Sequence, residues 1–244
     1  MPSIQDSTIL IIGGSSGIGY GVAEKCLTEG GRVHIASSNE SRVQSSTKSL
    51  REKISNAPIF GHVCDLSGAD VEKNLEQLLS TVAPIDHIVF TAGDSLAVMP
   101  LGSINLDLIQ RAGHIRFAVP LLMAKVAPRF MKPGYQSSIT LTTGAGSQKP
   151  SPGWSLVAGY LTGLHGLTRN LALDLKPLRV NLVSPGVVVT PLWGQGGVPD
   201  EMKNYTTLGK VGTPDEVAEA YVYLMKDTNA TGSCISTNAG SLLL

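Results

Sequence analysis

The sequence has no charge excess of either sign: 19 basic and 19 acidic side chains among 244 residues leave a formal net charge of zero. Nothing electrostatic therefore draws it to nucleic acid or to an anionic membrane. Its three cysteines, Cys26, Cys64 and Cys234, stand far apart with no CxxC pair, which supports neither a disulfide framework nor a zinc site; they read as buried thiols. The histidines, His34, His62, His87, His114 and His165, lack HExxH or any other ligand spacing, so no metal is expected. No apolar run reaches the roughly 18 residues of a membrane span. The N-terminus passes from Met1 to a strand-like run without a basic or apolar leader, and a cytoplasmic chain is expected. Charged residues make up only 16%, against roughly 25% in ordinary globular domains. Much of the surface is then expected to be buried, subunit contacts included.

Short β-branched runs recur at Thr8 to Ile12, Arg32 to Ala36, Ile59 to Val63, His87 to Phe90, Ser138 to Leu141 and Arg179 to Val183. Each is bounded by Gly, Pro or Ser and reads as a buried parallel strand. Between them lie helical patterns, such as Val71, Leu75, Leu78 and Leu79, or Leu164, Leu167, Leu171 and Leu175. This alternation predicts an α/β chain with one doubly wound Rossmann-type domain over 1–244, its parallel sheet flanked by helices on both faces. The Gly- and Pro-rich stretch of about 190–210 interrupts the pattern and reads as a lid.

The first strand runs into Gly13-Gly14-Ser15-Ser16-Gly17-Ile18-Gly19, ahead of a helical pattern from Tyr20. Glycine serves where the backbone turns tightly and must approach a pyrophosphate, and the following helix offers free N–H groups to it. The Gly-x3-Gly-x-Gly spacing resembles the short-chain dehydrogenase/reductase family, with Ile12 in place of its threonine. Further resemblances follow in the family's order: Asp65-Leu66, Ala92-Gly93, Arg179-Val180-Asn181, Pro185-Gly186 and Thr190, then Pro214 to Ala218 and Thr231-Gly232. The resemblance implies that Gly13, Ser15, Ser16, Gly17 and Ile18 surround a pyrophosphate, Asp65 and Leu66 the adenine, and Ala92 and Gly93 the ribose. Pro185, Gly186, Val188 and Thr190 would then hold the nicotinamide end. An NAD enzyme of this type carries an acid at the position of Ser37; here Ser37, Ser38 and Arg42 offer neutral and positive donors, so NADP(H) is the expected cofactor.

The family's Ser-Tyr-Lys chemistry is not matched. Counting back from Gly166-Leu167-Thr168-Arg169 puts Val157 in the tyrosine place and Leu161 in the lysine place. The serine falls at Thr143 or Gly144, and the helical asparagine near Ile115, between His114 and Arg116. Tyr160 lacks a lysine four residues on and reads as a core or interface residue; His165 reads as a packing histidine. Arg116 is either an anion-binding or carbonyl-polarising group or a surface charge. The loop Pro150-Ser151-Pro152-Gly153-Trp154 is similar to the PDPTW loop of a fungal branch of the family, the bifunctional iminium reductase/Diels-Alderases. There the loop aspartate and an arginine serve in place of the lost tetrad. Ser151 stands at the aspartate position and Trp154 keeps the tryptophan. The catalytic candidates are accordingly Arg116, Ser151, Trp154 and Thr143.

Three functions stay open: NADPH-dependent reduction of an activated iminium or conjugated acceptor in natural-product biosynthesis, redox-neutral cyclisation or isomerisation on the same scaffold, and a nucleotide-binding pseudoenzyme. Leu96, Val98, Met99, Trp154, Leu192 and Trp193 predict a bulky apolar small-molecule substrate. The apolar fourth and fifth crossover helices and the tail Leu242 to Leu244 predict a homodimer or homotetramer.

Overall fold

The computed structural model describes residues 2–244. Its strands are β1 (Thr8–Ile12), β2 (Arg32–Ser37), β3 (Ile59–Val63), β4 (His87–Phe90), β5 (Ser138–Thr142), β6 (Arg179–Pro185) and β7 (Cys234–Thr237). All are parallel, in the order β3-β2-β1-β4-β5-β6-β7. The helices are α1 (Gly17–Thr28), α2 (Glu40–Lys53), α3 (Val71–Val82), α4 (Leu106–Gly113), α5 (Val119–Val126), α6 (Ser155–Asp174) and α7 (Pro214–Lys226). A π-helical turn over His114–Ala118 joins α4 to α5. Among the described residues, no helix is long and apolar enough to cross a membrane.

Alternation along β1 builds two cores. Leu10 and Ile12 join Phe90, Ile139 and Leu141 beneath α3, α5 and α6, while Ile9 and Ile11 join Val33, Ile35 and Val89 beneath α1 and α7. The chain first winds outward through β2 and β3, then crosses back to β4. The carboxyl ends of β1 and β4 therefore diverge into a crevice, the place where such sheets bind ligands. Arg179, buried at the start of β6, gives the sheet its tie to α7: its guanidinium donates to the carbonyls of Leu224, Met225 and Asp227. Those are groups a helix end leaves without partners.

The six expected strands are present, with β2, β5 and β6 running slightly further than expected. Four points need correction. β3 is not covered on both faces, because it is the sheet's outermost strand: Phe60 and Val63 are 39% and 57% exposed. β7 has no apolar run to announce it, only Cys-Ile-Ser-Thr on the opposite edge. That position leaves Cys234 exposed, whereas Cys26 and Cys64 are buried as expected. The helix after the glycine turn also begins earlier, at Gly17.

His87 lies in the core of β4 with its Nδ1 2.9 Å from Ser138 Oγ. Burial, aided by Arg179, lowers its pKa from 6.5 to about 4. Burial also lowers His34 to about 4, with help from His62 and Arg32. An unfolded chain binds protons at these sites between those values and the folded chain does not, so the stability they confer is present above pH 6.5 and is lost as pH falls through 4. The thermal midpoint should be flat above neutrality and fall steadily below it, with His87 alone accounting for about 3 kcal/mol. His87→Gln should flatten that fall; an unchanged slope would remove His87 from the account.

Candidate active site

At the end of β1 the backbone turns through Gly13 (φ 95°) and Gly17 (φ 53°), conformations that L side chains rarely adopt. A Cβ on Gly13 would overlap the backbone of Ala92, and one on Gly19 the carbonyl of Gly13. Thr91 and Ala92 both donate their N–H groups to Ile12 O, at 2.8 and 2.9 Å, fastening the end of β4 to this turn. Ser46 Oγ donates to Ser15 O at 2.7 Å, fastening α2 to it as well. Ser16 starts α1 without a side-chain cap, which leaves the first N–H groups of α1 open to an anion.

At the end of β2, Asn39 Oδ1 accepts the backbone N–H of Arg42 at 2.9 Å and caps α2. Ser37, Ser38 and the Arg42 side chain line the cleft beside it. After β3, Asp65 Oδ1 accepts from the backbone N–H and hydroxyl of Ser67 at 2.9 and 2.7 Å. The Ser67 contacts hold its pKa below the usual carboxylate range. His114 Nε2 sits 2.8 Å from Leu66 O, bracing that loop from the start of the π-helical turn. Ala92 and Gly93 follow β4; Pro185, Gly186, Val188 and Thr190 follow β6. Every one of the expected cofactor residues, with Gly13, Ser15, Ser16, Gly17 and Ile18, faces one cleft of about 1200 Å³.

The four catalytic candidates line the same cleft, in unequal condition. Arg116 is no surface charge. It projects from the π-helical turn with its side chain 15% exposed, and its Nε lies 3.0 Å from Asp94 Oδ1, off the line of a hydrogen bond. Its Nη2 donates to Asp94 O, while Nε and Nη1 form no hydrogen bond among the described residues. Burial lowers the Arg116 pKa while Asp94 opposes the shift. Thr143 is spent on structure: its hydroxyl donates to Leu161 O at 2.7 Å. Ser151 O accepts the N–H of Trp154 at 3.2 Å, closing the loop over Gly153 (φ 77°), and the Trp154 ring packs on Gly146.

α6 gives the cleft only an apolar side chain, Leu161; Val157 is buried beneath it. Tyr160 turns the other way, donating to Ile109 O at 2.7 Å over a surface that Gly113 keeps clear. His165 pairs with Ser147 Oγ at 2.9 Å. Of the apolar loop residues, Leu96, Trp154, Leu192 and Trp193 line the cleft, but Val98 and Met99 do not. They pack behind Gly153, where Met99 N donates to Gly153 O at 2.9 Å. Sequence reasoning missed Asp94, Lys149, Glu201 and Tyr205, all of which line the cleft. Asp94, adjoining Ala92-Gly93, and Lys149, adjoining Pro150, lay within reach of the motifs; Tyr205 becomes a neighbour only through folding.

The SDR-like Rossmann domain model matches residues 2–244. The short-chain dehydrogenase/reductase malC of Malbranchea aurantiaca is 42% identical over 98% of this chain and 96% of its own. The solved structure of that organism's MalC Reductase/Diels-Alderase superposes with a TM-score of 0.92 at 41% identity, covering 99% of this chain and 97% of the other. The short-chain dehydrogenase/reductase ATR9 of Stachybotrys chlorohalonatus is 42% identical over the full length of both chains. A small-chain dehydrogenase solved in complex with NADPH superposes at 0.79 with 27% identity, covering 98% of this chain and all of that one.

Gly13→Ala should destabilise the protein by about 2–6 kcal/mol, combining backbone strain with overpacking. Gly196, with nothing within 4 Å of an added Cβ, should accept alanine within about 1 kcal/mol. Urea denaturation of the two variants checks the contrast; equal effects would show that the turn is not under steric control.

Proposed function

The chain belongs to the short-chain dehydrogenase/reductase family, and we propose that it binds NADP(H) and reduces a bulky apolar acceptor that is already activated as an iminium or conjugated system, in natural-product biosynthesis. The observation that carries this reading is the contrast between the cleft's two ends. One end is a cradle that an added Cβ would fill; the other receives Leu161 from α6, at the place where the family resemblance expects the lysine that activates a proton-donating tyrosine.

The cradle fits a dinucleotide. The turn from Gly13 to Ile18 would hold the pyrophosphate on the N–H groups of α1. Asp65 and Leu66 would flank the adenine, and Ala92 and Gly93 the ribose. Ser37 and Ser38 would donate to a 2'-phosphate, with Arg42, which forms no ion pair among the described residues, supplying its counter-charge. Pro185, Gly186, Val188 and Thr190 would hold the nicotinamide end. When bound, the cofactor supplies hydride.

Trp154, Leu192 and Trp193 line the substrate end and give it an apolar surface. The segment 190–210 acts as the lid over it. Because Asp94 balances Arg116 at 3.0 Å, the chamber does not repel a cationic acceptor, and Arg116 Nη1 stays available to orient one polar atom of it. Ser151 leaves the loop without a carboxylic acid, so the chemistry is limited to acceptors that need no proton in the hydride step. The similarity to MalC, a reductase/Diels-Alderase, supports a second reading on this scaffold: redox-neutral cyclisation guided by chamber shape. Leu106, Ile109 and Leu121, 69%, 38% and 43% exposed on α4 and α5, support a homo-oligomer built on these helices.

Calorimetric titration should give NADPH at least about tenfold tighter than NADH, with Arg42→Ala erasing the difference. Equal affinities in the wild type would overturn the cofactor assignment. Gly17→Val should abolish binding of both. Incubated with NADPH and simple ketones, the protein should leave the cofactor unoxidised, while iminium acceptors are reduced. Arg116→Ala should slow that turnover by about 100-fold. Substrate conversion with no NADPH oxidation would select the cyclase reading, and light scattering that returned only the 25.6 kDa monomer would refute the oligomer.

A further inference from the structure

Three stretches remote in sequence wall the substrate end, and they meet at the C-terminal turn. The carbonyl of Ala239 accepts from Leu208 N at 3.3 Å and from Thr207 Oγ1 at 3.2 Å, both on the lid. The carbonyl of Ser241 accepts from Lys149 Nζ at 2.8 Å, at the head of the proline loop. Lys149 and Ser241 both line the cleft. The turn carries local costs. Ala239 is held at φ 52°, a left-handed conformation that costs an alanine. Gly240 follows at φ 73° and clears the space that Thr207 occupies. Ser241 Oγ is buried without a hydrogen-bond partner, which costs more. Bonds within the turn, from Gly240 N to Asn238 Oδ1 and from Ser241 N to Asn238 O, each 3.0 Å, offset part of this, and the contact added by the proline loop is the Lys149 ammonium, a charge-assisted bond.

We infer that Lys149 is a positioning residue: it clamps the C-terminal turn against the proline loop as a wall of the substrate chamber and, through Ala239, couples that wall to the lid. The inference rests on reading the cleft as the substrate chamber. It makes the size of the chamber depend on a joint between residues 149, 207–208 and 239–241, so that a bulky substrate is admitted when the joint opens and shielded when it closes.

The chain's two tryptophans, Trp154 and Trp193, both line this chamber and report on it. In the full chain without added ligand, Lys149→Met should raise the acrylamide quenching constant of their fluorescence about twofold or more. It should also speed amide exchange about tenfold in both 200–210 and 236–244, while α7 exchanges as in the wild type. Lys149→Arg, which keeps a charged donor, should stay close to the wild type on both measures. If Lys149→Met fails to fold, as α7 exchange would reveal, Lys149→Gln takes its place with the same expectations. Unchanged quenching and exchange in a folded variant would overturn the clamp. Faster exchange in 236–244 alone, or an arginine variant as open as the methionine one, would overturn the coupling or the role of charge. No measurement here uses nucleotide or substrate, so failure of the clamp and failure of the reductase reading are told apart.

Discussion

The contact between the glycine turn and the end of β4 governs the molecule. Gly13 lies so close to Ala92 that no side chain can intervene, and Ile12 O receives both the Thr91 and Ala92 N–H groups. This closeness brings the free end of α1, the loop after β4 and, through Gly17 and Thr190, the segment after β6 around one space. The topology supplies a crevice by divergence of β1 and β4. The backbone contact fixes its width, and every side chain that reaches the cleft is measured from it.

Against that fixed frame, α6 presents little polarity to the other end of the cleft. The Thr143 hydroxyl is turned onto the main chain of α6, Leu161 fills the wall and Tyr160 faces α4. The opposite wall carries an ion pair, where Arg116 and Asp94 hold each other. Burying a cation costs several kcal/mol unless it is paired, so Asp94 is what permits Arg116 to stand in an apolar chamber at all. The pair gives direction without net charge.

Legibility from sequence tracked burial and local contiguity. β1 and β4 were readable because each is a continuous apolar run covered on both faces, and the glycine spacing beside β1 carried the cradle with it. β7 was not, because an edge strand of Cys-Ile-Ser-Thr gains little from burial and shows no period. β3 is legible as a strand but not as an edge, since an apolar sequence does not tell a strand its place in the sheet. In the cleft, residues inside motifs were recovered together. Asp94 was passed over although it adjoins a motif, because its importance lies in a partner that arrives from another helix. Tyr205 and Ser241 carry no signature, being brought to the cleft by turns.

The π-helical turn at His114–Ala118 works as a phase shifter. One extra residue in a helical turn rotates everything after it by about 100° relative to a regular helix. α4 can therefore present Leu106 and Ile109 to the outside while α5 sends Val119 and Met123 into the core. Arg116 sits at the point of rotation, where a side chain that a regular helix would carry round the axis is instead aimed at the end of β4. The helix thus serves two masters, an outward apolar stripe and an inward charge, and an insertion rather than a substitution is what lets one segment satisfy both.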